Sequence, residues 1–109
     1  MATQANDNHE EKIVVIVDED LQDLIPGYLE NRLKDITAIR ESIAQGDYEA
    51  IRSIGHKMKG SGGGYGFDEI TNIGREIEES AKIEHREEII RQMEALKTYL
   101  ERLEVVYQA

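Results

Sequence analysis

The side chains with the clearest chemical potential lie in the segment GHKMKGSGGGYG, residues 55–66. A histidine, His56, is followed by a lysine three positions later, Lys59, and then by several glycines. On a helix with about 100° per residue, positions three, four and seven residues apart share one face. Lys59, Gly60 and Gly63 are therefore the predicted neighbours of the His56 ring.

The opposite face of the same predicted helix is apolar. Ile51, Ile54 and Met58 fall on one side of the helical wheel, and His56 lies roughly 160° from their centre. The imidazole is therefore expected to point at solvent. Arg52, one turn before the histidine, adds a second cation and is taken as a supporting residue, as is Gly63.

This combination of side chains favours covalent chemistry at the histidine. The ordinary pKa of a histidine is about 6.5, so a neutral imidazole nitrogen is available as a nucleophile near neutral pH. A phosphoryl group on that nitrogen would add roughly two negative charges, which a nearby ammonium such as that of Lys59 can offset. Glycine within a helix costs about 1 kcal/mol relative to alanine. Glycines at positions 60 and 63 therefore indicate that a partner needs room beside the ring.

The pattern His56-x-x-Lys59-Gly60, followed by Gly63 and by Gly66-Phe67, resembles the signature of histidine phosphotransfer (HPt) domains. It is also similar to the phosphotransfer domain of chemotaxis histidine kinases. The resemblance extends over about residues 18–106, including the order and lengths of the predicted helices.

The resemblance implies a role for each matching residue. His56 would be the phospho-acceptor, Lys59 would support the phosphoryl group, and Gly60 would be the open position. In some relatives a glutamate on the next helix binds the other imidazole nitrogen, and the matching position here is Glu78, with Glu76 as the weaker alternative. A solvated acid is the ordinary interpretation of Glu78, and the acidic face of the run 76–79 is expected to be exposed.

The implied function is that of a phosphocarrier in a two-component phosphorelay. It would take a phosphoryl group from a receiver-domain aspartate, or from a kinase, and pass it to a response-regulator aspartate. The partners would be receiver domains and a sensor or hybrid histidine kinase, and Mg²⁺ is expected on the receiver domain. The chain itself would need no cofactor and would have no kinase or ATPase activity. The competing hypothesis is a helical-bundle adaptor that binds a signalling partner without chemistry.

Two other kinds of site are disfavoured by the sequence. Gly55 and Gly60 have the spacing of the first part of a nucleotide-binding P-loop, but Ser61 stands where that motif requires lysine. A zinc site is disfavoured because the three histidines are scattered and there is no cysteine.

Helical periodicity predicts the elements that carry these residues. The fold is expected to be all-α, an antiparallel four-helix bundle with a short extra N-terminal helix and an extended N-terminal arm. Pro26 should begin the first long helix, and Gly46 and Asp47 should separate it from the helix of His56. The last helix is expected to be the longest. The predicted spans are 21–25 for the short helix, 67–81 for the helix after the glycines and 85–107 for the last.

The N-terminal segment and two of the glycines give further expectations. Residues 1–12 are predicted to be a disordered tail before the bundle domain, residues 13–109. The arm Ile13–Val17 has strand composition, but no second segment of that kind is evident as its partner. Gly62 and Gly74 are expected to permit close packing of helices.

Composition limits the classes of partner. A chain of 109 residues predicts one domain, and a formal net charge of −10 disfavours binding to nucleic acid or to anionic membranes. There is no cysteine for disulfides or thiolate chemistry, and the N-terminus does not resemble a secretory signal. A cytoplasmic monomer is the expectation.

Overall fold

The computed structural model describes residues 11–109. The predicted tail, residues 1–12, lies outside the described residues except for Glu11 and Lys12, which are exposed and belong to no helix or strand. The remaining residues form the elements that carry the site.

Four helices form the predicted antiparallel bundle, and short connections join them. Gly46 ends the first helix with a φ of 70°, a left-handed conformation that suits glycine. The side chain of Asp47 begins the second helix by accepting the Ala50 N–H at 3.1 Å. His85 begins the last helix because its Nδ1 accepts the Glu88 N–H at 3.2 Å. The helices are α1 (Ile25–Gln45), α2 (Tyr48–Ser61), α3 (Asp68–Lys82) and α4 (Arg86–Arg102).

The structure corrects two predicted helices. A 3₁₀ turn at Glu19–Leu21 replaces the short helix expected at 21–25, because the Asp18 side chain caps the chain earlier, accepting the Asp20 N–H at 2.8 Å. The last helix ends at Arg102, so α4 has 17 residues and α1, with 21, is the longest helix.

The N-terminal arm has a partner strand, so the prediction that it has none was wrong. Strand β1 (Ile13–Asp18) pairs in parallel with β2 (Leu103–Gln108), and Ile13 lies opposite Leu103. Alternate β1 residues face the bundle, and Val17 is 2% exposed whereas Val14 is 57% exposed. A two-stranded sheet is marginal alone, so packing against the helices stabilises it.

The core explains why His56 faces outward. In α2, Ile51, Gly55 and Met58 are buried, and they occupy the side of the helix that contacts the bundle. Phe67 is fully buried between α2 and α3, and its ring stacks on Tyr28 at a centroid distance of 6.0 Å. Within residues 11–109, no helix is long and apolar enough to cross a membrane.

Candidate functional site

The candidate site lies where α2 and α3 cross, and glycines allow their backbones to touch. A Cβ atom on Gly55 would lie 2.7 Å from the Glu78 backbone nitrogen, and one on Gly74 would lie 2.6 Å from that of Lys59. Any larger side chain at either position would force the helices apart. The prediction that Gly74 permits close packing is confirmed, and Gly55 plays the same part.

His56 is exposed and has one hydrogen-bond partner in the protein. Its side chain is 63% exposed, and its Nδ1 lies 3.0 Å from Oε2 of Glu78. A carboxylate accepts hydrogen bonds, so Nδ1 carries the proton that it donates to Glu78. The lone pair of the neutral ring is then on Nε2, which has no protein partner among the described contacts.

Glu78 is buried, against the expectation that the acids of residues 76–79 are all exposed. Its side chain is 6% exposed, and its Oε1 lies 2.8 Å from Nζ of Lys59. Burial of a carboxylate is unfavourable unless cations or donors satisfy it, and here Lys59 and His56 each bind one oxygen. Of the two candidate acids, the structure therefore brings Glu78, and not the exposed Glu76, to the ring.

The electrostatics of the three side chains keep Glu78 ionised. The Lys59 ammonium, 2.8 Å from Oε1, has the largest effect in lowering the pKa of the Glu78 carboxyl below its ordinary value of 4.5. The bond from His56 acts in the same direction, while desolvation opposes both. An ionised Glu78 remains an acceptor for Nδ1–H, and it favours any positive charge that develops on the ring.

The other predicted site residues lie around this centre. Gly60 is exposed, and a Cβ atom there would meet nothing within 4 Å. Gly63 is exposed as well, at the start of a 3₁₀ turn, Gly63–Tyr65. Arg52 is not at the ring: its guanidinium forms an ion pair with Glu49, one turn earlier on α2.

Sequence reasoning missed two features of the site. It did not identify Gly55 as a contact point, although its spacing from His56 places it on the apolar side of the helix. It also did not anticipate that Lys59 binds Glu78, because that contact joins two helices and leaves no local pattern. No group of three His, Cys, Asp or Glu side chains in the described part of the chain could hold a metal ion.

The family model described as the Hpt domain matches residues 19–105, a stretch that includes His56, Lys59 and Glu78. Comparisons with curated proteins and with solved structures found no match. The family match covers most of the chain and the whole of the candidate site.

Proposed function

Because the chain belongs to the Hpt domain family, whose members transfer phosphoryl groups through histidine in phosphorelays, we propose that His56 is its phospho-acceptor. The observation that carries this proposal is the pairing of an exposed imidazole with a buried carboxylate at 3.0 Å. The proposed donor is a phosphorylated aspartate of a receiver domain, and the proposed acceptor is an aspartate of a second receiver domain.

In the forward step, Nε2 of His56 attacks the phosphorus of the aspartyl phosphate. The new P–N bond forms as the P–O bond to the aspartate breaks, and the electron pair of that bond returns to the carboxylate. Positive charge develops on the ring, and Glu78 offsets it through the bond from Nδ1–H. In the onward step a receiver carboxylate attacks phosphorus, and the electron pair of the P–N bond returns to Nε2.

The receiver domain supplies Mg²⁺, which offsets charge on the phosphoryl oxygens during transfer. The carrier contributes the position of the ring and the tautomer that leaves Nε2 free. Lys59 contributes by holding Glu78 ionised, and its side chain is 35% exposed. Gly60 contributes open space for the receiver.

The test is phosphoryl transfer from a receiver domain that has been charged with acetyl phosphate. Label should reach the wild type and should not reach His56→Gln, which retains a polar side chain but lacks the nucleophile. The matched control is His85→Asn, since His85 caps α4 away from the site and asparagine also caps helices. Equal labelling of wild type and His56→Gln would reject the proposal in favour of an adaptor without chemistry.

A further inference from the structure

The hydroxyl of Thr71, in the first turns of α3, lies between two backbone groups of the preceding segment. Its Oγ1 donates to the carbonyl oxygen of Lys59 at 3.0 Å and accepts the N–H of Gly63 at 2.8 Å. In an α-helix a carbonyl accepts the N–H four residues later, so Lys59 and Gly63 are the pair that would continue α2. Here the Gly63 amide donates to the hydroxyl and not to that carbonyl.

The last bond of the α2 ladder is therefore the one just before this hydroxyl. The Gly62 N–H still donates to the Met58 carbonyl at 3.1 Å. The chain then leaves the helix, and the Phe67 N–H closes the turn by donating to the Gly62 carbonyl at 2.8 Å. A side chain from another helix thus replaces the Lys59 carbonyl as the acceptor for the first amide beyond α2.

The two backbone groups that Thr71 binds lie three and seven residues after His56, toward the C-terminal end of α2. Lys59 carries the ammonium that binds Glu78, and Gly63 lies on the exposed surface beyond Gly60. Gly62, between them, packs closely against the start of α3, because a Cβ atom there would lie 2.7 Å from the Thr71 backbone nitrogen. The Thr71 hydroxyl therefore binds the backbone at both ends of residues 59–63.

We propose that Thr71 is a positioning residue for phosphoryl exchange with the receiver domain. It ends α2 and holds residues 59–63 in the shape that the receiver contacts, without touching the reacting atoms. The inference rests on the proposed function, since it concerns docking at the same site. In Thr71→Val the Lys59 carbonyl and the Gly63 N–H become free to bond each other, so α2 lengthens and the turn shifts.

Two phosphodonors separate docking from chemistry. Phosphoramidate is a small molecule that needs no docking surface. A new P–N bond forms between its phosphorus and Nε2 of His56 as its own P–N bond breaks, and the nitrogen leaves with that electron pair as ammonia. Thr71→Val should be labelled by phosphoramidate at the wild-type rate, while transfer from a phosphorylated receiver should fall by about 10-fold or more, chiefly through a higher KM for the receiver. Thr71→Ser keeps the hydroxyl and should restore transfer.

The matched control is Thr98→Val, because Thr98 is exposed on α4 and has no side-chain hydrogen bond among those of the described residues. Should Thr71→Val fail to fold, Thr71→Ala and Thr71→Ser give the same comparison, since they differ only in the hydroxyl.

Three results would overturn the inference. Thr71→Val could transfer from the receiver as fast as the wild type, which would mean that the hydroxyl does not affect docking. The variant could lower the labelling rate with phosphoramidate and with the phosphorylated receiver equally, which would mean general damage to the site. A wild type that neither donor labels would refute the proposed function itself, and that result is distinguishable from the other two.

Discussion

A methyl group on Gly55 would lie 2.8 Å from the carbonyl oxygen of Gly74, and one on Gly74 would lie 2.8 Å from the carbonyl oxygen of Gly55. The two helices are therefore in backbone contact at this point. Glu78 lies one turn beyond Gly74, so the same close approach brings its carboxylate to His56. The geometry of the site depends on two glycines that take no part in its chemistry.

Alanine at Gly74 should destabilise the protein, because the added methyl group must push the helix backbones apart. We expect the free energy of unfolding to fall by about 1–3 kcal/mol. Alanine at Gly60 is the matched control, since a Cβ atom there meets nothing within 4 Å and should stabilise α2 by up to about 1 kcal/mol. Urea denaturation followed by circular dichroism measures both. Equal effects of the two substitutions would contradict the backbone contact.

Glu78→Gln should slow phosphorylation of His56 without removing the nucleophile. Glutamine replaces one carboxylate oxygen with an NH2 donor, so it cannot present a separate acceptor atom to Lys59 and to Nδ1–H of His56, and it carries no charge to offset that on the ring. We expect the labelling rate with phosphoramidate to fall by about 10-fold or more, as is typical when a partner that orients a functional histidine is lost. Nitrogen chemical shifts of the ring should show a mixture of tautomers in the variant. Glu76→Gln is the control, because Glu76 is exposed on the same helix.

The pH dependence of stability should report the ionised state of Glu78. Its pKa is lower in the folded protein than the ordinary 4.5, chiefly because of the bond from Lys59, so its contribution is present above pH 4.5 and is lost as the pH falls through the folded pKa. The difference in unfolding free energy between wild type and Glu78→Gln should therefore narrow below pH 4.5. Burial raises the pKa of Asp35, but this effect is common to both proteins and cancels. A difference that does not vary with pH would contradict the prediction.

Gly60→Glu should leave the fold intact and obstruct the receiver. The position is open, so a long side chain is accommodated, but it places bulk and negative charge one turn after His56. Transfer from a phosphorylated receiver should slow strongly while the thermal midpoint changes little. Ala44→Glu adds the same side chain at an exposed position of α1 and should transfer normally. If Gly60→Glu accepted the phosphoryl group from the receiver as fast as Ala44→Glu does, open space at Gly60 would not be required.

Threonine substitutions should distinguish the two faces of the sheet. Val17 is 2% exposed and faces the bundle, so Val17→Thr buries a hydroxyl and should cost about 1–3 kcal/mol of stability. Val14 is 57% exposed on the opposite face of the same strand, so Val14→Thr should be nearly neutral. The comparison is made by thermal or urea unfolding. A larger loss at Val14 would mean that the strand faces the other way.

Local signals predicted the outward position of His56 and the boundary between α1 and α2. The apolar spacing of Ile51 and Met58 determines which way the ring points, and Gly46 and Asp47 act through contacts within a few residues of themselves. Features of this kind depend on residues nearby in the sequence, so the residue types alone are enough to predict them.

Features that depend on contacts across the fold could not be predicted. Leu103 and Tyr107 continue the spacing of the preceding helix, but with Val105 they also alternate as a strand does, and pairing with β1 decides between the two. The burial of Glu78 depends on Lys59 from another helix, whose ammonium offsets the cost of burying the carboxylate.

The parallel pairing of β1 with β2 makes the whole helical bundle a single crossover connection. Residue 13 meets residue 103, so every helix lies within the loop that this pairing closes. Contacts so distant in sequence form late in folding, since the entropy of closing a long loop must be offset first. The sheet joins the two ends of the described chain, and because it is marginal alone, its paired amide protons should be protected from solvent exchange only while both strands stay packed against the helices.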